Sequence, residues 1–177
     1  MQFAESQKFR QWWIWLIVIG VSVSTILSAV YAYNKAGGEL AGSALFSFIF
    51  SFIPLLVILL FWLLRLDTVI DETGITYCYY PFIKTKHIPW SELQQAYVRK
   101  YSPLMEYGGW GIRVGMGRKS GAYNVSGNMG LQLVFKNGRY LLLGTQHADE
   151  LETYMQDLYK KGLVNKGETE PNIKDRY

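Results

Sequence analysis

The sequence predicts an α+β protein: an N-terminal transmembrane helical hairpin followed by a small antiparallel β-barrel or bent sheet with a C-terminal capping helix. Three observations predict it. Two apolar stretches, Trp12 to Tyr33 and Ala44 to Leu64, are each long enough to cross a bilayer as a helix. Beyond Arg65 the pattern changes to short β-branched and aromatic runs between turn signals. Near the C-terminus it changes again, to apolar residues at helical spacing.

The first stretch opens on Trp12, Trp13 and Trp15 and closes on Tyr31 and Tyr33; the second closes on Trp62 and Arg65. Such amphipathic rings suit the two faces of a bilayer. Only Lys35 and Glu39 are charged between Trp12 and Arg65. Backbone polar groups cannot stay unpaired in hydrocarbon, so each stretch is expected to be helical. The glycine-containing link between them is short enough to force a hairpin. Lys8, Arg10, Arg65, Lys84 and Lys86 fall on one side of that hairpin and Lys35 on the other. The positive-inside rule then puts both termini and the β domain in the cytoplasm. A competing reading of the first stretch is a cleavable signal peptide, with Val30 and Ala32 before the cut; the long apolar core and the opening tryptophans argue against it. The expected division is an anchor over residues 1–65, a β domain over 66–162 and a loose polar tail over 163–177.

Gly20, Ser24 and Ser28 recur every four residues in the first stretch, and Ser43, Ser47 and Ser51 do so in the second. Small residues at this spacing let helices approach closely, which makes these six a candidate helix–helix seam. The alternative is that small residues are simply common in membrane helices.

In the β domain, strands are expected at Thr68–Ile70, Ile75–Tyr80, Thr85–Ile88, Leu93–Tyr101, Trp110–Val114, Ala122–Val125, Leu131–Phe135 and Arg139–Leu143. Asp71-Glu72-Thr73-Gly74 and Asn137-Gly138 are hairpin signals. Leu151, Tyr154, Met155, Leu158 and Tyr159 then mark an amphipathic helix. Asp149 and Glu150 suit its first turn, Lys160 and Lys161 its last, and Gly162 its stop. A helix with one apolar face can plug the open end of a bent sheet.

A two-helix anchor followed by Asp71-Glu72-Thr73-Gly74-Ile75 and Ile88-Pro89-Trp90-Ser91-Glu92-Leu93 resembles the bacterial membrane-bound pleckstrin-homology-like proteins. Tyr107-Gly108-Gly109-Trp110-Gly111-Ile112-Arg113 and Ala122-Tyr123-Asn124-Val125-Ser126-Gly127 are similar to stretches in uncharacterised members of that kind. The resemblance spans Trp12 to about Lys161. It implies the fold, a bacterial inner-membrane location and a scaffold or interaction role, and it implies no chemistry.

The residues themselves offer little chemistry. Cys78 is the lone cysteine, so neither an internal disulfide nor a cysteine metal cage is available. His87 and His147, the only histidines, lie far apart and read as surface or turn residues. Lys119-Ser120 imitates the end of a phosphate loop, but Arg118 replaces its glycine and strand-like residues follow. Asn124-Val125-Ser126 is a sequon that a cytoplasmic bacterial domain would not use. No catalytic residue, metal site or cofactor is expected. The net charge of +4, with acids interspersed, gives no nucleic-acid footprint.

The remaining candidate is a contact surface. Arg113, Arg118 and Lys119 surround Met116 in a glycine-rich segment, an arrangement suited to an anionic lipid surface or a partner. Its plain alternative is a solvated loop. Trp110 and Tyr123 are either partner-facing or core aromatics. The expected function is a membrane-tethered, non-catalytic interaction module. Its expected partners are membrane lipids and a protein, with homo-oligomers open. The alternative is an accessory subunit of a membrane transporter or enzyme complex.

Overall fold

The computed structural model describes residues 2–9, 12–35, 37, 46, 49–50, 52–114 and 120–167. The chain forms two compact units, residues 9–64 and the combination of residues 1–8 with 65–177.

The helical unit contains α1 (Trp12–Lys35) and α2 (Phe52–Leu63), which touch one another. Phe9 packs edge-on against Phe61, with ring centroids 5.2 Å apart. Most of α1 is apolar and exposed, and the stretch Trp15–Lys35 is long and apolar enough to cross a membrane. Its hydroxyls turn back onto its own backbone: Ser22 donates to the Val18 carbonyl, Thr25 to those of Val21 and Ser22, and Ser28 to that of Ser24. Those polar side chains are therefore satisfied without water. Most of the link between the two expected spans, and Ser43, Ser47 and Ser51, lie outside the described residues.

The second unit holds two sheets and three further helical pieces. The first sheet is antiparallel, in the order β1 (Phe3–Lys8), β2 (Arg65–Ile70), β3 (Gly74–Tyr80), β4 (Ile83–Pro89). The second runs β5 (Leu93–Lys100), β8 (Met129–Phe135), β9 (Tyr140–Thr145), β7 (Ser120–Asn124), β6 (Gly111–Val114). A 3-10 turn at Trp90–Glu92 joins the sheets. The short α3 (Pro103–Tyr107) and the C-terminal α4 (Ala148–Lys160) complete the unit.

The mixed α+β class agrees with the sequence, and three features depart from it. No closed barrel forms among the described residues: β4 and β6 each end a sheet without a further partner strand. The second sheet is not wholly antiparallel, because β7 and β9 run parallel, with Ser120 opposite Tyr140 and Tyr123 opposite Leu143. The β unit also has an extra strand, β1, from residues that the sequence reading gave to the anchor. Only Phe3 carries a large apolar side chain in Phe3-Ala4-Glu5-Ser6-Gln7-Lys8, so the strand alternates between buried and exposed positions without the apolar–polar alternation that signals it in a sequence.

Turn chemistry accounts for the hairpins. Asp71 Oδ1 accepts from the Thr73 amide, the Thr73 hydroxyl and the Gly74 amide. Those bonds, the Thr73 hydroxyl foremost, hold the Asp71 carboxyl below the usual carboxylate range. A Cβ at Gly74 would fall on the Ile88 carbonyl, so no larger residue fits there. At the β8–β9 turn Gly138 takes a φ of 75°, which favours glycine.

One core joins both sheets and α4. Ile70, Ile75 and Ile88 meet Leu131, Leu133, Leu141 and Leu143, with Leu151, Met155 and Leu158 of α4 covering them. Each fully buried Leu or Ile stabilises by roughly 1.5–3 kcal/mol. The helical face therefore buries its i, i+4 and i+7 positions, as its spacing predicts. The other face of the second sheet is buried too, around Tyr101, Ala122 and Leu142 with Tyr107 against them. The first residues of the predicted loose tail are docked rather than free: Val164 is buried, the Ala96 amide donates to the Asn165 carbonyl, and Gly167 lies against the Tyr97 ring.

Candidate functional site

The position of β1 organises the first sheet. In the β1–β2 ladder Lys8 lies opposite Arg65 and Glu5 opposite Thr68. The inward side chains Glu5 and Gln7 are buried despite being polar. Glu5 accepts from the Thr145 hydroxyl at 2.6 Å and from the Gln146 amide at 2.7 Å. Gln7 donates to the Gly144 carbonyl at 2.6 Å. The N-terminal strand is thus fastened to the end of β9. The close fit around Gly144 has a steric basis, because a Cβ there would fall 2.8 Å from Asn124 Cβ.

One end of this first sheet carries basic and aromatic residues. Lys8, Arg65 and Tyr80 are successive cross-strand neighbours. Beyond Tyr80 the β3–β4 turn presents Phe82, 61% exposed, and Tyr80 itself is 46% exposed. Lys84, Thr85, Lys86 and His87 follow, all exposed, on the edge strand β4. Arg65 pairs with Asp67 at 2.7 Å. In the sequence Arg65 reads as the close of the second apolar stretch and, with Lys84 and Lys86, as a marker of orientation, whereas Tyr80 and Phe82 carry no such signal. The available signal was an aromatic–Pro–aromatic turn followed by alternating lysines.

Of the proposed lipid-contact set, Arg113 alone lies among the described residues. Arg113 sits on β6, half-buried, and its Nε donates to the Trp110 carbonyl at 3.1 Å. Its guanidinium lies over Gly109. Met116, Arg118 and Lys119 lie outside the described residues. Only the first half of the proposed seam lies among the described residues. Gly20, Ser24 and Ser28 lie on the exposed side of α1, whereas Ser22 and Ala29 are buried. Ser43, Ser47 and Ser51 are not described.

Glycines before β6 serve turns. Gly108 ends α3 with a φ of 69°, and Gly109 and Gly111 also take positive φ values. Trp110 donates to the Gly127 carbonyl, and the Gly111 amide donates to Asn124 Oδ1. Tyr123 packs among Tyr77 and Tyr79, as a core aromatic does. Burial of Tyr77, reinforced by Tyr123, pushes its phenol up to about 12. Burial likewise raises Tyr101 to about 12.

Over the second sheet, Arg99 binds Glu106 at 2.7 Å and Gln132 Oε1 at 3.1 Å. Glu106 also accepts from the Ser102 amide, and so helps to cap α3. This is a structural network that satisfies the buried Gln132, whose Nε2 donates to the Leu133 and Leu141 carbonyls.

Of the residues with nucleophilic or ligating potential, Cys78 donates to the Ile83 carbonyl and is half-buried. His87 is exposed and bonded to the Thr76 hydroxyl. His147 caps the start of α4 through its backbone position, with no side-chain cap bond. No group of three or more His, Cys, Asp or Glu residues that could hold a metal ion occurs among the described residues. No protein-family model matches the chain, and no curated protein is significantly similar to it.

Proposed function

We propose that the chain is a membrane-tethered, non-catalytic interaction module. An even number of membrane crossings holds its β unit at the cytoplasmic face of a bacterial plasma membrane, for a protein partner or an anionic lipid surface. The observation that carries this reading is the pairing of Lys8 with Arg65 in one sheet. Residues on both sides of Phe9–Leu64 therefore lie on one side of any bilayer which that segment crosses. The ladder favours an even number of crossings over an odd one. With α1 as one span, residues 44–64 supply the return.

The same strand argues against a cleaved signal sequence. Cleavage following Ala32 would remove β1 and leave the Thr145 hydroxyl and the Gln146 amide without Glu5. Lys8, Arg65, Lys84 and Lys86 on the β unit's side, against Lys35 on the other, favour a cytoplasmic β unit. Two sheets sharing one core with a C-terminal helix are in keeping with a pleckstrin-homology-like domain.

The test uses the tagged full chain in native membranes. The reading predicts that the chain resists alkaline carbonate extraction. It also predicts that the chain, once solubilised, recovers a specific protein or prefers phosphatidylglycerol over phosphatidylcholine. Release by carbonate contradicts the tether. Retention with neither a specific protein nor a lipid preference contradicts the interaction role.

A further inference from the structure

The described β unit has three exposed apolar places outside its core: Leu104 with Met105 on α3, Tyr80 with Phe82 at the β3–β4 turn, and the single residue Ile112 on β6. Nothing indicates what covers the first. The second has a defined neighbourhood. Tyr80 lies opposite Arg65, the residue that directly follows the apolar stretch ending at Leu64, and Arg65 lies opposite Lys8. Adjacent strands are about 5 Å apart. The turn therefore lies within roughly two strand spacings, about 10 Å, of the point where the chain returns from its apolar segment. The chain also departs at this end of the sheet, one strand further along, at Lys8.

We infer that the β3–β4 turn is a second membrane contact, in which Tyr80 and Phe82 enter the interfacial layer while Lys84 and Lys86 meet anionic lipid headgroups. The inference rests on the membrane-tethered reading above and adds a specific surface to it. Aromatic rings favour the headgroup level of a bilayer. An exposed Phe at a turn tip gains from leaving water, and lysines beside it gain from negative surface potential. The exposed run Lys84 to His87 on β4 leaves that edge free of core duties. Lysines on an edge strand also discourage strand addition, which is their plain structural use. That use does not call for two exposed aromatic rings at the tip. The effect of two contacts is orientation: a turn held in the interface restricts how the β unit can tilt, which a single tether does not.

The test uses the full chain with Cys78→Ser, since a serine hydroxyl can make the same bond to the Ile83 carbonyl. A nitroxide is attached, one site at a time, through Phe82→Cys, Glu72→Cys or Leu27→Cys. Glu72 is in the turn at the opposite end of the sheet, and Leu27 is an exposed residue of α1. The chain is placed in nanodiscs of equal phosphatidylcholine and phosphatidylglycerol, and accessibility to oxygen is compared with accessibility to an aqueous nickel chelate. The expected result is a preference for oxygen at positions 27 and 82 and for nickel at 72. Lys84→Gln with Lys86→Gln should lower the oxygen preference at 82 several-fold, each lysine at an anionic surface being worth roughly fivefold. Pure phosphatidylcholine should do the same. A lipid signal at 27 with an aqueous one at 82 overturns this inference and leaves the tether standing. An aqueous signal at 27 overturns both. Insertion at 82 that is indifferent to the lysines and to lipid charge overturns the role given to Lys84 and Lys86.

Discussion

Lys8 and Arg65 face one another across the β1–β2 ladder, although the whole of Phe9–Leu64 lies between them. The chain leaves the β unit and rejoins it at adjacent positions in one sheet. The apolar segment is therefore an insertion between two paired strands, and the stability of the unit depends on strand β1 reaching back across it.

Glu5 is the first place to test that dependence. Glu5→Ala takes away the acceptor of the Thr145 hydroxyl proton and of the Gln146 amide, while the Thr145 oxygen keeps the His147 amide as a donor. The expected loss is about 3–6 kcal/mol, from two bonds to a charged acceptor. Denaturant unfolding of the full chain in detergent measures it. Glu5→Gln, which keeps an acceptor oxygen, should lose less.

Gly144 and Gly138 should respond differently to alanine. At Gly144 the new methyl would fall 2.8 Å from Asn124 Cβ and 3.1 Å from Asn124 Cα, inside the tight end of β9. Gly144→Ala is expected to cost about 1–3 kcal/mol through overpacking. Gly138 has open space around it and only its φ of 75° to resist substitution. Gly138→Ala should therefore cost roughly 1 kcal/mol. Melting temperatures of the two variants, compared under one condition, give the ranking.

The Arg99–Glu106 pair should behave as a coupled unit. Both side chains are mostly buried, and Arg99 also holds Gln132. Removing either partner alone leaves a poorly solvated charge, at an expected cost of about 2–4 kcal/mol. Arg99→Met with Glu106→Leu should cost less than the two single losses added. A double-mutant cycle reads the difference.

Two pH limits follow from the shifted groups. Tyr77 and Tyr101 are raised from 10.0 to about 12 in the folded chain. The unfolded chain loses these protons first, so their stabilisation is complete below pH 10 and declines between pH 10 and 12. Asp71 shifts the other way, to below its ordinary 3.8. Its contribution is present above that value and is lost as pH falls through the lowered one. Stability against pH, with tyrosinate absorbance on the alkaline side, checks both signs.

Local signals made much of the β unit legible. Asp71 and Gly74, and Asn137 and Gly138, specify their turns through side-chain acceptors and backbone conformation, both of which are residue properties. Leu151, Met155 and Leu158 reveal the buried face of α4 by spacing alone. Strand β1 was hidden because its inward residues after Phe3 are Glu5 and Gln7, whose burial depends on partners at positions 144–146. The parallel β7–β9 pairing is also a tertiary fact, invisible to a two-residue period. Burial of both faces of the second sheet hid the function of Gln132, which reads as a solvent-facing residue until Arg99 and Glu106 cover it. For the candidate site, Arg113 could be located by its strand, but its bond to the Trp110 carbonyl could not. Lys84 and Lys86 were noticed as charges, while Tyr80 and Phe82 gained meaning only from their register with Arg65.

The central claim is that both strands flanking the apolar segment lie on one side of a membrane which that segment crosses an even number of times. The direct measurement is labelling of single cysteines in intact cells with an impermeant thiol reagent, in a Cys78→Ser background. Ser6→Cys on β1, Asn34→Cys near the end of α1 and Asn137→Cys in the β8–β9 turn report the three positions, each exposed. The account predicts labelling at position 34 alone, with 6 and 137 protected until the cells are permeabilised. Labelling at one of 6 and 137 but not the other would contradict the paired strands, and equal labelling at all three would contradict the crossing.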